Sequence, residues 1–182
     1  MKATIINLGD TLDGVLIIGD PDPANDPVVT LDQNGDTLNI QCYNRKVWTP
    51  GNDTPTQWSH HRRLIRYADV LLMAAEALNE DGKPADAMTY LNQVRKRARG
   101  GTISILPDVS VIDKNLLRDK ILLERRHEFA LEGERFWDLV RTGKASAVLG
   151  PLGFIPGKHE LLPIHQSEID ISQGTLVQNP NY

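Results

Sequence analysis

The run Arg66-Tyr67-Ala68-Asp69-Val70-Leu71-Leu72-Met73-Ala74-Ala75-Glu76-Ala77-Leu78-Asn79-Glu80 reads as a helix. Leu64, Ala68, Leu71, Ala75 and Leu78 recur at alternating steps of four and three, which predicts a helix from about 64 to 80 with these residues along one face. Tyr67, Val70, Ala74 and Ala77 widen that face, so burial on more than one side is expected. Gly82 suits the left-handed position just past a helix end, and Pro84 suits the first turn of the next helix, where its missing N–H costs nothing.

The second helix carries Ala87, Leu91, Val94 and Ala98 at the same steps. Arg95, Lys96, Arg97 and Arg99 complement the negative end of its dipole. Two helices joined by so short a loop pack antiparallel, and the pair has the form of one tetratricopeptide-like hairpin. No second close copy of residues 64–98 follows, which argues against a long repeat array within the chain.

Outward from the hairpin, Gly100-Gly101 opens a mixed loop that runs to Asp113, whose side chain can cap a third helix from about Lys114 to Glu132. That helix is expected to bury Leu117, Ile121, Leu122 and Phe129, with Gly133 breaking or bending it. A short helix over 135–141 presents Phe136, Trp137, Leu139 and Val140 and stops at Gly143. The Gly- and Pro-rich remainder is expected to be an ordered tail. Upstream of about residue 62 the chain is rich in Asp, Asn, Gly, Pro and Thr. Val28–Leu31 and Thr37–Ile40 flank Asn34-Gly35, which predicts a small β-hairpin. The fold class is therefore mainly α, with residues 1–63 an irregular lobe of the same domain and 64–182 a helical region.

Composition bounds the function. At 182 residues the chain suits one domain, and 40% apolar with 24% charged residues is ordinary for a globular protein. With 20 Lys+Arg against 24 Asp+Glu, the net charge of -4 leaves no basic footprint for nucleic acid. The lone Cys42 excludes an intrachain disulfide framework and a multi-thiolate zinc site. No run is long and apolar enough for a signal peptide or a transmembrane segment, so the chain as written is expected to carry neither export signal nor anchor.

The charge cluster Glu124-Arg125-Arg126-His127-Glu128, continued by Glu132, Glu134, Arg135, Asp138 and Arg141, is the first place to look for chemistry. Glu124 and His127 have the spacing of a bundle di-iron site, but a second copy is missing. His127-Glu128 begins like a zinc-protease helix, but Leu131 stands where the second His is required. An ion-pair network explains the cluster better, since Arg125, Arg135 and Arg141 lie within three residues of Glu128, Glu132 and Asp138. The candidate network is Glu124, Arg125, Glu128, Glu132, Arg135, Asp138 and Arg141, with no catalytic residue and no cofactor expected.

Asp20, Asp22, Asn25, Asp26, Asp32, Asn34 and Asp36 offer oxygens, but the calcium-loop pattern fails at its Gly and at its bidentate Glu, and turn chemistry explains them. No metal is expected. Trp48 and Trp58 lie in a loop with Tyr43, His60 and His61, and their flat faces are what a sugar ring stacks upon. They are the candidate ligand-binding residues, weighed against the plainer reading that a loop Trp plugs a core edge.

Three blocks in order carry a resemblance. Residues 66–80 with Leu91-Asn92-Gln93-Val94-Arg95-Lys96-Arg97-Ala98 form the first, and the second is Glu124-Arg125-Arg126-His127-Glu128-Phe129-Ala130-Leu131-Glu132-Gly133-Glu134-Arg135-Phe136-Trp137-Asp138-Leu139. The third is Lys158-His159-Glu160-Leu161-Leu162-Pro163-Ile164, Ser167-Glu168-Ile169-Asp170 and Gln178-Asn179-Pro180-Asn181-Tyr182. Together they resemble the C-terminal part of SusD/RagB-like outer-membrane proteins. The resemblance covers 64–182 well and the first 63 residues faintly, and His165 departs from the family's more usual Pro. It implies a C-terminal fragment of a larger surface lipoprotein of Bacteroidetes-type bacteria. Such a protein captures oligosaccharides and passes them to a SusC-like TonB-dependent transporter, without being an enzyme. The rival reading of the residues is a tetratricopeptide-like module that contacts a partner protein.

Overall fold

The computed structural model describes residues 63–182 and, upstream of them, residue 46 and the backbone of six short strands. It divides into two compact units, Met1–Val70 and Leu71–Tyr182. In the first unit, β1 (Ile5–Asn7) pairs antiparallel with β6 (Cys42–Asn44), in the register Ile6 opposite Tyr43. Strand β2 (Thr11–Leu12) pairs with β3 (Val15–Leu16), and β4 (Val29–Leu31) with β5 (Thr37–Asn39), in the register Thr30 opposite Leu38. The Asn34-Gly35 turn and the calcium-like oxygens at 20–26, 32, 34 and 36 lie outside the described residues.

Helix α1 spans Tyr67–Glu80 and α2 spans Pro84–Arg99, with Gly82 at φ +75° and Pro84 opening the second helix. A left-handed residue is needed here because the Lys83 N–H must turn back to the Leu78 carbonyl, which it reaches at 2.8 Å. Leu71, Leu72, Ala75 and Asn79 are buried on α1, and Ala87, Leu91 and Val94 on α2. Burial of α1 on more than one side is not what forms. Tyr67 is 72% and Val70 46% exposed, and the inner stripe runs through Leu72 and Asn79, leaving Leu78 half-buried. A single hairpin offers α1 one side, so the small and aromatic residues that widen the face remain outside. Ala98 is also exposed, in a last turn filled with cations.

Helix α3 (Lys114–Glu128) starts where Asp113 accepts a hydrogen bond from the Leu116 N–H at 2.8 Å. It buries Leu117, Ile121 and Leu122, with Phe129 just beyond its end. It stops four residues short of Glu132, because Leu131 and Gly133 take φ +66° and +95° and no α-helix continues through them. Helix α4 is Arg135–Arg141, and Gly143 at φ +67° ends that turn. The tail holds helices that the Gly and Pro punctuation conceals: α5 (Ala145–Leu149), a 3-10 turn Gly150–Leu152 and α6 (Gln166–Ile171).

Side chains reading backbone fix the segments between helices. Asn92 on α2 exchanges both amide bonds with Val109, its Nδ2 donating at 3.0 Å and its Oδ1 accepting at 2.8 Å. Arg95 donates to the Pro107 carbonyl through Nε and Nη2 at 3.0 and 2.8 Å. At the C-terminus Gln178 makes the same paired contact with Ile164, and Tyr182 donates to the Leu161 carbonyl at 2.9 Å with Lys158 over its ring. Irregular backbone ordered in this way meets its hydrogen-bonding needs without a ladder.

Candidate functional site

The charge cluster gathers where α3 ends and α4 returns. Asp138 is buried on α4 and accepts from Arg125 Nε at 3.0 and 2.9 Å, both side chains being 5% exposed. Arg141 donates to the same carboxylate through Nε at 2.9 Å. Its two terminal nitrogens grip Glu76 of α1 at 2.6 and 2.8 Å, a bidentate fork that joins α4 to the hairpin. The Glu76 hydrogen bond, more than Asp138, pushes the Arg141 guanidinium further above its ordinary range. On the other side, Glu124 accepts from Arg95 Nη1 of α2 at 2.5 Å, and Glu128 pairs with Arg97. Arg125 also lies over the Phe129 ring, 5.0 Å from its centroid.

The sequence neighbours are only partly the partners. Arg141 and Asp138 meet three residues apart on one helix, and Arg125 reaches to Asp138 on the next helix. Arg135 holds no carboxylate among the described residues, which corrects its expected pairing with Glu132. Helix α3 has already ended at Glu128 and α4 starts at Arg135, so Glu132 and Arg135 share no helix and the three-residue spacing does not put them on one helical face. Glu76, Arg95 and Arg97 were not legible as members of the cluster. They lie on other helices, and Arg95 and Arg97 are equally explained by the negative end of the α2 dipole.

Chemically the cluster is a set of carboxylates held by guanidiniums. Glu76, Glu124, Glu128 and Asp138 each carry an arginine contact. No group of three metal-ligating side chains occurs among the described residues. No helix among them is long and apolar enough to cross a membrane. Trp48 and Trp58 lie outside the described residues.

The comparisons with known proteins agree with one another. The SusD family profile matches residues 24–153. A SusD-like protein of Formosa agariphila is 43% identical over 125 residues, covering 65% of this chain and 24% of the relative. A second from the same organism is 34% identical over 140 residues, covering 71% of this chain and 26% of the relative. The chain thus spans about a quarter of the length of the curated relatives it matches. Among solved structures, surface glycan-binding protein A from Bacteroides thetaiotaomicron is 42% identical with a TM-score of 0.55, over 69% of this chain and 26% of that one. A laminarin-binding SusD-like protein is 34% identical with a TM-score of 0.61, over 100% of this chain and 34% of that one. The profile match covers well over half of the sequence, and the mainly helical fold is the one these neighbours share. The chain belongs to the SusD family.

Proposed function

We propose that this chain is the C-terminal part of a carbohydrate-capture protein of the bacterial outer-membrane surface. It acts within a lipoprotein that delivers oligosaccharide to a SusC-like TonB-dependent transporter. The observation that carries this reading is family membership joined to two solved relatives, one a surface glycan-binding protein and one a laminarin-binding protein. The second of these aligns over the whole chain, which favours a β-linked glucose polymer as the first ligand to try.

The residues support capture without turnover. The carboxylates of the cluster are engaged by Arg95, Arg97, Arg125 and Arg141, so their part is to lock α1, α2, α3 and α4 together. In this reading the ligand stacks on Trp48 and Trp58. The test is affinity gel electrophoresis of the protein, extended to the length of its relatives, on gels containing laminarin, starch and plant glycans. Retardation on at least one glycan, reduced in Trp48→Ala or Trp58→Ala, supports the reading. Unretarded migration on all of them overturns it.

A further inference from the structure

Two imidazoles in the tail make bonds that only an uncharged ring can make. His159 is half-buried, and its Nδ1 accepts the Ile155 N–H at 3.0 Å. His165 stands at the N-cap of α6, where its Nδ1 accepts the Ser167 N–H at 3.2 Å and lies 2.8 Å from the Ser167 hydroxyl. A backbone N–H can only donate, so in both rings Nδ1 is the acceptor and the proton sits on Nε2. An imidazolium donates from both nitrogens and accepts at neither, so the proton that charges each ring also removes its bond.

The surroundings offer no substitute. The His159 ring meets the Phe154 ring edge-on at 5.7 Å, and Phe154 in turn meets Phe136 of α4, so that side presents no charge. The charged residues of the stretch 154–172 are Lys158, Glu160, Glu168 and Asp170, and among the described residues none of them bonds to either imidazole. Lys158 lies over the Tyr182 ring, and Asp170 accepts from Gln166 on its own helix. The C-terminal residues packed against the stretch bring Tyr182, whose hydroxyl donates to the Leu161 carbonyl, and the uncharged Gln178, Asn179 and Asn181. At α6 a charged ring also faces the first N–H groups of the helix, which are positive themselves.

We propose that His159 and His165 are paired acid-sensitive latches of the tail, whose protonation releases the Ile155 and Ser167 amides and loosens the 155–159 turn and the first turn of α6 together. The bonds belong to the neutral rings, so their contribution is present above the imidazole range and lost as pH falls through it. The side-chain amide contacts of Gln178, Asn179 and Asn181, made by groups with no charge to gain, keep the tail in place, so the response is local opening and not unfolding. The latches involve neither Trp48 nor Trp58 and stand apart from the glycan reading.

The experiment is a pH series by NMR on the protein from about pH 7.5 to about pH 5, which brackets imidazole protonation. Long-range proton–nitrogen spectra report the tautomer and charge of each ring. Hydrogen exchange, divided by the intrinsic rate at each pH, follows the Ile155 and Ser167 amides. The expected result is an Nε2-protonated neutral ring at both positions at the upper end, and then a fall in protection of about three- to tenfold at each amide, the worth of a lost cap, with the midpoint of its own imidazole. His165→Asp keeps an acceptor at the cap throughout, so it should abolish the pH dependence at Ser167 and leave that at Ile155. A proton on Nδ1 of either neutral ring, protection that stays level at either amide while its imidazole titrates, or a Ser167 response that survives His165→Asp overturns the proposal. Should the variant lose its fold, the wild-type tautomers and protection still decide it.

Discussion

Asp138→Asn removes a charge from the most buried ion pair of the described residues while keeping the volume of the side chain. Asp138 and Arg125 are each 5% exposed, and the carboxylate also receives Arg141 at 2.9 Å. A buried pair broken on one side costs about 3–5 kcal/mol, because the remaining charge loses its counterion in a poorly solvated place. A solvated surface pair costs only about 0–1 kcal/mol, so burial decides which value applies. Against a total stability of about 5–15 kcal/mol, the loss is a large fraction. Urea unfolding followed by circular dichroism at 222 nm should show the midpoint falling with an unchanged slope. Replacing the pair together, Arg125→Met with Asp138→Leu, should recover much of the loss, since a matched apolar pair no longer carries an orphaned charge. An Asp138→Asn cost below about 1 kcal/mol would refute the reasoning, because the pair would then behave as if solvated.

Other perturbations have separate outcomes. Gly133→Ala should destabilise by about 1–2 kcal/mol, all of it from the left-handed backbone at φ +95°, since no atom lies within 4 Å of the added carbon; chemical denaturation measures it. Leu91→Ala, at a fully buried position, should cost about 2–5 kcal/mol, whereas Leu152→Ala, 81% exposed, should change the same urea midpoint by less than about 0.5 kcal/mol. Asp113→Ala should cost about 1 kcal/mol and raise hydrogen exchange at the Leu116 amide, which loses its cap. Glu80, held first by the Arg118 hydrogen bond and then by Lys114, has its carboxyl lowered from 4.5 to about 2. Because the folded value is the lower one, this contribution is present above about pH 4.5 and lost as pH falls toward 2. The stability gap between wild type and Arg118→Gln should close over that window, and carboxyl-carbon resonances should report the depressed titration; a gap that is constant with pH would contradict it.

The local structure was legible wherever a single residue carries a local constraint. Gly82, Pro84, Asp113 and Gly143 mark helix ends through backbone geometry that each satisfies by itself, and the structure puts helix ends at all of them. The period of apolar residues located α1 and its buried Leu71 and Ala75, but missed Leu72 and Asn79. Leu, Ala and Tyr all fit an apolar stripe, and only the packing partner selects Leu72 and Asn79 over Tyr67 and Val70. The short α5 and α6 were hidden because five or six residues give too few turns for a period to show. The charge cluster was visible as a composition, and its connections were not. Arg125 meets Asp138 across the turn made by the left-handed residues at 131 and 133, a partner that the spacing along its own helix does not reveal. Glu76 and Arg141, separated by most of the helical unit, meet only once the chain is folded.

Carbohydrate capture without cleavage is tested most directly by isothermal calorimetry of the protein, at the full length of its relatives, with laminarin oligosaccharides. The same sample is then resolved by chromatography. A saturable heat with the oligosaccharide recovered at its original length is the predicted result. The absence of heat across laminarin, starch and plant glycans, or the appearance of shorter products, would contradict it.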